Sequence, residues 1–208
     1  MPNSMISVVV SAPSGTGKTT IIKRLLELDD RFQFSISTTT RERRPDEKEG
    51  LHYYYISEES FLEKIRGKEF VEWARVYNNY YGTTKKEIDR IQSAGKIPIF
   101  DVDVQGARQL KCAIENAVFI FVLPPSLQDL RERLFTRNTD SPAQRELRLN
   151  NAVSELREYA MYDYIVLNKS IDDAIADIMA IVRAESRRTF RMEHIMNNWR
   201  GEIDNSTR

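Results

Sequence analysis

The chain has 208 residues, of which 31 are basic and 31 are acidic, so its formal net charge at pH 7 is zero. This balance excludes the broad basic surface that draws a protein to nucleic acid or anionic lipid, and any anion site must be local. Apolar residues make up 41% of the chain, which is enough for one domain with a buried core. The apolar stretch at 117–123 is far shorter than the roughly eighteen residues that span a bilayer, and residues 1–7 lack the pattern of a signal peptide. We therefore expect a cytoplasmic protein that binds neither nucleic acid nor membrane.

Apolar runs typical of strands alternate with helical patterns along the whole chain, which predicts an α/β fold. The runs at 8–10, 97–102 and 117–123 are continuous, as in parallel strands that helices cover on both faces. In chain order, we expect strands at 8–10, near 34–38, at 52–56, at 70–77, at 97–102, at 117–123 and at 164–168, with a turn at 78–82. We expect helices after Thr19, at 58–66, at 85–94, after Gly106, at 126–134, after Ser141 and from Ile171.

The segment at 34–77 differs from the rest of the chain because its strand-like runs are short, alternating and strongly polar. Strands with one exposed face have this pattern, so we expect an insertion with its own small mixed sheet. Ser57 and Thr84 are predicted helix N-caps, and Gly95 is predicted to end the helix that Thr84 begins. The single cysteine, Cys112, cannot form an internal disulfide, and we expect it to fill a packing position in a helix.

A small-residue loop, Ser-Ala-Pro-Ser-Gly-Thr-Gly-Lys-Thr at 11–19, joins the first strand to the first helix. Backbone N–H groups of such a loop converge on one point, and the helix N-terminus adds partial positive charge, so the loop predicts binding of a nucleoside triphosphate. Lys18 can reach phosphate oxygens and Thr19 can reach Mg²⁺. Ala12 stands where the usual pattern has glycine, which requires a negative φ; the alternative is a plain strand-to-helix turn with incidental glycines. The expected ATP-binding residues of this loop are Ala12, Pro13, Ser14, Gly15, Thr16, Gly17, Lys18, Thr19 and Thr20.

A second group of phosphate-binding side chains lies in the predicted insertion. Arg41 and Arg44 are three residues apart on a loop, and phenolic hydroxyls follow at Tyr53 and Tyr81. Guanidinium groups and phenolic O–H donors are what a second phosphate monoester would require. Taken alone, the arginines could instead form a solvated loop that pairs with neighbouring acidic residues.

Four further motifs lie in order along the chain. They are Ser37-x-x-x-Arg41-x-x-Arg44, Phe70-Val71-Glu72-Trp73-Ala74, Asn79-Tyr80-Tyr81-Gly82-Thr83 and Asp101-Val102-Asp103-Val104-Gln105-Gly106. Together they resemble the motifs of the guanylate kinase family. The likeness runs in order from about residue 8 to residue 168. It implies a nucleoside-monophosphate kinase that converts ATP and GMP, and also dGMP, to the diphosphates with Mg²⁺. The implied parts are a P-loop core with a parallel sheet flanked by helices at 1–36, 86–136 and 154–208, a small α+β GMP-binding insertion at 37–85 and a helical lid at 137–153.

The resemblance also implies roles for individual side chains. The residues implied to hold the GMP phosphate are Arg41, Arg44, Tyr53 and Tyr81, and those implied to read the base are Ser37, Glu72, Thr83 and Asp103. Arg137 and Arg148 match lid arginines that close over the transferring phosphoryl group. Asn168 matches a residue near the adenine of ATP. Asn138 and Lys169 depart from residues that the family often has at these positions, a glycine and an acid.

The chemistry of guanine agrees with this assignment. Its N1–H and N2 amino group are donors that carboxylates such as Glu72 and Asp103 complement, and its O6 accepts from hydroxyls such as those of Ser37 and Thr83. Phosphoryl transfer mainly needs alignment and charge neutralisation, and the GMP phosphate is already ionised, so no general base is expected. The expected catalytic residues are Lys18, Arg41, Arg44, Arg137 and Arg148, and the expected Mg²⁺ residues are Thr19 and, through water, Asp101.

Two other functions are compatible with parts of the pattern. One is a non-catalytic guanylate-kinase-like module that binds phosphorylated peptides, but such modules lose the phosphate loop, whereas Gly15, Gly17 and Lys18 are retained here. The other is a related kinase of a ribose bisphosphate, which would not need Glu72 and Asp103 to read a base. The sequence carries no signal for an oligomeric state.

Overall fold

The structure is a computed structural model, and it describes residues 6–135 and 142–206. The predicted polar stretch at 137–141, with Arg137, Asn138 and Ser141, lies outside the described residues. The strands are β1 (Ser7–Ser11), β2 (Phe32–Phe34), β3 (Thr38–Thr39), β4 (Tyr54–Tyr55), β5 (Phe70–Val76), β6 (Asn79–Thr84), β7 (Ile97–Asp101), β8 (Ala117–Leu123) and β9 (Tyr164–Leu167). The helices are α1 (Lys18–Leu28), α2 (Glu58–Arg66), α3 (Lys85–Ser93), α4 (Val104–Ala113), α5 (Leu127–Phe135), α6 (Pro142–Leu156), α7 (Ile171–Glu185) and α8 (Thr189–Ser206), with a 3₁₀ helix at Arg157–Met161 after α6.

Five strands form a parallel sheet in the order β2-β7-β1-β8-β9. All five residues of β1 are buried, because helices cover both faces of the sheet. Val8 and Val10 belong to an apolar cluster with residues of α1 and α7, whereas Val9 packs with residues of α4 in a second cluster. A central parallel strand requires this alternation between two covered faces. The predicted α/β fold with a parallel sheet flanked by helices is therefore confirmed.

The other four strands form a second sheet in the order β4-β3-β6-β5, in which β3 and β4 are parallel and the other neighbours antiparallel. This is the small mixed sheet predicted for the insertion. Its edge strand β5 is linked to α4 by the side chain of Gln109, which accepts from the backbone N–H of Trp73 at 3.0 Å and donates to its carbonyl at 2.9 Å. Because the Gln109 amide pairs with both backbone groups, it anchors the small sheet to a helix that packs on the large one.

The predicted turn at 78–82 is wrong, because these residues lie mostly in strand β6 and the chain reverses at Tyr77 and Asn78. Gly82 is a strand residue here. A Cβ at this position would lie 2.7 Å from the carbonyl oxygen of Glu72, so glycine permits the close approach of β5 and β6. The composition of residues 78–82 suggested a turn, but glycine is needed at position 82 because β5 and β6 approach closely there.

Three other element predictions need correction. The predicted strand near 34–38 is divided, because β2 ends at Phe34 in the large sheet and β3 begins at Thr38 in the small one. The predicted strand at 52–56 is reduced to the two residues of β4. The helix expected after Gly106 begins earlier, at Val104, because the Asp103 carboxylate accepts the N–H of Gly106 at 2.8 Å and so caps α4.

The predicted caps of α2 and α3 are confirmed, since the hydroxyls of Ser57 and Thr84 accept backbone N–H groups of the first turns. The single helix expected from Ile171 is two helices, α7 and α8. Cys112 lies in α4 as predicted, but it is exposed, so the expectation that it fills a packing position is wrong. Among the described residues, we find no helix with the length and apolar character needed to cross a membrane.

Candidate active site

The phosphate loop between β1 and α1 depends on two glycines with positive φ, 88° at Gly15 and 96° at Gly17. A Cβ at Gly17 would lie 2.9 Å from Nδ2 of Asn168, so both the backbone conformation and the available space require glycine there. Ala12 lies outside the positive-φ region, which meets the condition that the sequence set for it. The departure from the usual glycine at this position therefore does not disturb the loop.

Two side chains that are distant in the sequence hold the phosphate loop by donating hydrogen bonds to one of its carbonyl groups. The carbonyl of Thr16 accepts from Nδ2 of Asn168 at 2.6 Å and from Nη1 of Arg133 at 3.2 Å. The Thr16 hydroxyl donates to the carbonyl of Pro13 at 2.7 Å. Asn168 is buried and its amide is committed to this contact, so in the structure it supports the loop, and its expected place near adenine stays a prediction. Sequence reasoning did not identify Arg133.

Lys18, at the start of α1, reaches across to the carboxyl end of β7. Its ammonium forms a salt bridge with Asp101 at 2.8 Å and donates to the carbonyl of Val102 at 2.6 Å. Thr19 and Thr20 are exposed on the first turn of the same helix. The structure thus brings Lys18 together with Asp101, the residue expected near the metal.

A cavity of about 340 Å³ lies over the phosphate loop. It is lined by residues 12–20 and by two carboxylates, those of Asp103 and Glu155. Glu155 comes from the last turn of α6, and sequence reasoning missed it. Glu155 follows Arg148 by seven residues, which places both on one face of the helix, but this spacing does not indicate that the face meets the phosphate loop.

Arg41 lies at the centre of the expected acceptor-phosphate site. Its guanidinium donates to the carboxylate of Glu47 at 2.7 Å and lies 5.4 Å from the ring centroid of Tyr53, and the Tyr81 hydroxyl is close enough to contribute to its raised pKa. The rings of Tyr53 and Tyr81 meet edge to face at 5.9 Å. The sequence-predicted Arg41, Tyr53 and Tyr81 are therefore brought together, with Arg44 exposed on the same loop.

Glu47 orders this loop, and sequence reasoning weighed it only as a possible partner of the arginines. Its carboxylate accepts from Arg41, from the backbone N–H of Arg44 at 2.9 Å and from the hydroxyl of Tyr55 at 2.8 Å. These hydrogen bonds, that from Arg41 above all, lower the pKa of Glu47 to about 2. Glu47 therefore stays ionised and holds the Arg41 guanidinium in one orientation.

The expected base-reading residues surround a buried carboxylate. Glu72 is 8% exposed on β5 and lies opposite Thr83 of the neighbouring strand β6, whose hydroxyl and backbone N–H lower the pKa of its carboxyl. Burial is the main cause that raises the pKa of Glu72, and the nearby charge of Asp103 adds to it. Ser37 is half-buried between β2 and β3. A buried carboxylate next to a threonine hydroxyl can bind a planar group that offers two N–H donors.

Asp103 lies between the two sites. The charge of Asp103 raises the pKa of Glu72 on the small sheet and the pKa of Glu155 beside the phosphate loop. For both carboxyl groups, burial is the largest cause of the raised pKa. One carboxylate oxygen of Asp103 caps α4, so its position is fixed by the helix. Of the expected lid arginines, Arg148 lies half-buried on α6, whereas Arg137 lies outside the described residues.

Comparison with known proteins decides the family. A family model described as guanylate kinase matches residues 4–185, which is most of the chain. The chain belongs to the guanylate kinase family. The resemblance drawn from the four motifs is therefore confirmed, and helix α8 lies beyond the residues that the guanylate kinase model matches.

Individual guanylate kinases agree with the family match. The guanylate kinase of Thermotoga maritima is 42% identical over 195 residues, which are 94% of this chain and 94% of that protein. That of Bartonella henselae is 41% identical and covers 91% of this chain and 86% of that protein. A crystal structure of guanylate kinase from Anaplasma phagocytophilum is similar with a TM-score of 0.68 and 32% identity, over 90% of this chain and 89% of that chain. Neither the phosphopeptide-binding module nor the ribose-bisphosphate kinase is favoured by these matches.

Proposed function

We propose that this chain transfers the γ-phosphoryl group of ATP to GMP, and also to dGMP, and releases the two diphosphates. The observation that carries the proposal is the presence of two different phosphate-binding groupings beside one buried carboxylate. The phosphate loop can bind a triphosphate, and Arg41 with Tyr53 and Tyr81 can bind a monophosphate. Glu72 with Thr83 can bind the donor groups of guanine. The relatives, which are named guanylate kinases, support the same reaction.

The donor side consists of the phosphate loop with Lys18. Backbone N–H groups of the loop and the N-terminus of α1 bind the β- and γ-phosphates of ATP, and Lys18 exchanges its salt bridge with Asp101 for a phosphate oxygen. Asn168 and Arg133 fix the loop by holding the carbonyl of Thr16, so its N–H groups face the ligand. Ala12, Pro13, Ser14, Gly15, Thr16, Gly17 and Thr20 complete this side.

Mg²⁺ fits the oxygen donors on this side. The exposed hydroxyl of Thr19 and the carboxylate of Asp101, the latter through water, are hard oxygen groups of the kind that Mg²⁺ prefers. When bound, the ion neutralises charge on the donor phosphates. Within the described residues, no group of three acidic, histidine or cysteine side chains forms a metal site, which agrees with an ion held mainly by the nucleotide.

The acceptor side lies on the inserted segment at 37–85. Arg41, Arg44, Tyr53 and Tyr81 bind the GMP phosphate, and Ser37, Glu72, Thr83 and Asp103 bind the base. Glu72 accepts the N1–H and N2–H groups of guanine, and the hydroxyl of Thr83 or of Ser37 donates to O6. AMP presents the opposite pattern on this edge and leaves the buried carboxylate without its donors, which a hydrogen-bonding site rejects strongly.

Transfer needs closure rather than a general base. The GMP phosphate oxygen that attacks is already ionised, so the arginines have only to align it and offset charge on the transferring group. The lid at 137–153 brings Arg137 and Arg148 to that group from outside both nucleotide sites. Closure also excludes water, which could otherwise accept the phosphoryl group.

The proposal is tested by a coupled assay of ADP release with ATP and Mg²⁺, run across GMP, dGMP, AMP, UMP and a ribose phosphate. We expect turnover with GMP and dGMP far above that with the others. Turnover that is highest with the ribose phosphate would favour the related sugar kinase. No turnover with any acceptor, together with binding of a phosphorylated peptide, would favour the interaction module.

A further inference from the structure

Glu155 of helix α6 has no role in the reaction outlined above, yet its carboxylate lies against the phosphate loop. Its carboxylate lines the same cavity of about 340 Å³ as residues 12–20, and the backbone N–H of Ser14 lowers its pKa. Loop N–H groups are the donors that bind phosphate oxygens. A carboxylate of the protein therefore lies beside N–H groups that a phosphate oxygen of the donor would use.

The electrostatics of Glu155 also fit such a position. Burial raises its pKa most and the charge of Asp103 adds to this, whereas the ammonium of Lys18 lowers it. Glu155 thus lies in the field of the cation that would meet the donor phosphates. Because a carboxylate and a phosphate are both anionic, they repel each other when they share one set of donors, and only one can occupy the loop.

Helix α6 connects this contact to the lid. Arg148 and Glu155 are seven residues apart on α6, so they lie on the same face, about two turns from each other. The helix packs on α5 through a cluster of three buried residues, Leu130, Leu134 and Ala152, and its Leu156 packs against this cluster and against the one that contains Val9. Among the α6 side chains that the structure describes, only Ala152 is fully buried, so the helix can shift at modest cost in buried apolar area.

We propose that Glu155 controls access to the phosphate loop: it holds one phosphate position while the loop is free of nucleotide, the donor phosphates displace it, and its displacement releases α6, the helix that also carries Arg148. Glu155 is a positioning residue, because it acts on the reaction through the loop and the helix. The inference rests on the proposed function, since it requires the loop to bind phosphate groups.

The test measures binding of inorganic pyrophosphate by calorimetry, because this probe occupies the loop without adenine or GMP. The variants are Glu155→Gln and Glu155→Ala, and the matched control is Glu158→Gln, a nearby exposed glutamate whose partner is Arg108 at 2.7 Å. We expect the first two variants to bind pyrophosphate about 5- to 50-fold more tightly than the wild type, the range of typical coupling between competing states. The control should bind as the wild type does. If Glu155→Ala does not fold, Glu155→Gln decides alone.

A second readout separates displacement from a simple change in the electric field. Hydrogen exchange of the amides at 146–156 should be faster in ligand-free Glu155→Gln than in the wild type, and pyrophosphate should move the wild type towards the variant. Unchanged or weaker pyrophosphate binding in the Glu155 variants overturns the proposal. Tighter binding with unchanged exchange in α6 overturns it as well, because the carboxylate would then act only through its charge. Neither readout uses GMP, so a failure of the proposed kinase activity is detected separately by the ADP-release assay.

Discussion

Replacement of Glu72 by glutamine should lower the specificity for guanine and raise the stability of the folded protein. The carboxylate is almost fully buried, and the hydroxyl and backbone N–H of Thr83 lie close enough to lower its pKa. Glutamine has the same shape, but one of its two polar atoms is an NH₂ donor, which would face a donor of guanine. The substitution therefore changes the hydrogen-bond pattern of the site and leaves its volume nearly constant.

The magnitude follows from the hydrogen bonds that are lost. A hydrogen bond to a charged group contributes about 1.5–3 kcal/mol, and a buried group left without its partner costs a similar amount. Since about 1.4 kcal/mol corresponds to a factor of ten, kcat/KM for GMP should fall by about 10- to 150-fold in Glu72→Gln. Turnover of AMP should change little or rise, because an amide can present either a donor or an acceptor to adenine.

The assay is coupled ADP release with GMP and with AMP, on the wild type, Glu72→Gln and the control Glu69→Gln. Glu69 is exposed just before β5 and pairs with Lys64 at 2.8 Å, so its loss should leave the GMP-to-AMP ratio unchanged. An unchanged ratio in Glu72→Gln would remove Glu72 from the base site and refute the reasoning.

Glu72→Gln should also change how the melting temperature depends on pH, and the direction follows from the raised pKa of Glu72. Burial raises the pKa of Glu72 in the folded protein above its value in the unfolded chain. The favourable contribution of the protonated form is then complete below the unfolded pKa and is lost as the pH rises through the folded pKa. Glu72→Gln should therefore have a higher melting temperature than the wild type at pH 7, and the difference should shrink in acid. A variant that is less stable at neutral pH would contradict the desolvation argument.

Three further outcomes are expected. Lys18→Ala should lower kcat by at least about 100-fold while GMP binding stays nearly intact, because a cation that stabilises the transition state is removed; retention of more than about half of kcat would mean that the phosphate loop is misassigned. Glu47→Gln should raise KM for GMP severalfold and leave KM for ATP unchanged, because the Arg41 guanidinium loses the partner that orients it. Distance labels at the exposed positions His52 and Asn150 should approach each other when GMP and a non-hydrolysable ATP analogue with Mg²⁺ are both added; equal distances in the free and bound forms would rule out closure but not the kinase.

The parts of the fold that could be predicted are those with local signals. The phosphate loop is a contiguous stretch whose glycines, lysine and threonine define its conformation, and the strand before it is apolar throughout. Ser57 and Thr84 cap helices through contacts within one turn, which a sequence window contains. The residues proposed for the acceptor side come from the family motifs, and the structure brings three of them, Arg41, Tyr53 and Tyr81, close together.

The parts that could not be predicted depend on contacts between distant segments. Glu155 reaches the phosphate loop only through the packing of α6 on α5, and no local pattern reports that packing. The hydrogen bond from the Asn168 amide to the carbonyl of Thr16 also joins distant segments, and the place of Asn168 near adenine stays a prediction. The strand identity of Gly82 depends on how closely β5 approaches β6, and glycine alone is equally typical of a turn.

Each of three groups that we propose to bind phosphate lies beside a carboxylate of the protein. The pairs are Lys18 with Asp101, Arg41 with Glu47, and the Ser14 N–H with Glu155. Phosphate binding at Lys18 and at the Ser14 N–H is therefore an exchange of one anion for another, and the affinity is a difference between two interactions. The effect of removing a carboxylate then depends on where it stands. Glu47 holds a cation from the side and leaves it oriented towards the ligand, so its removal should weaken binding. Glu155 is proposed to hold the position of the ligand itself, so its removal should strengthen binding, although both changes delete one negative charge beside a proposed phosphate site.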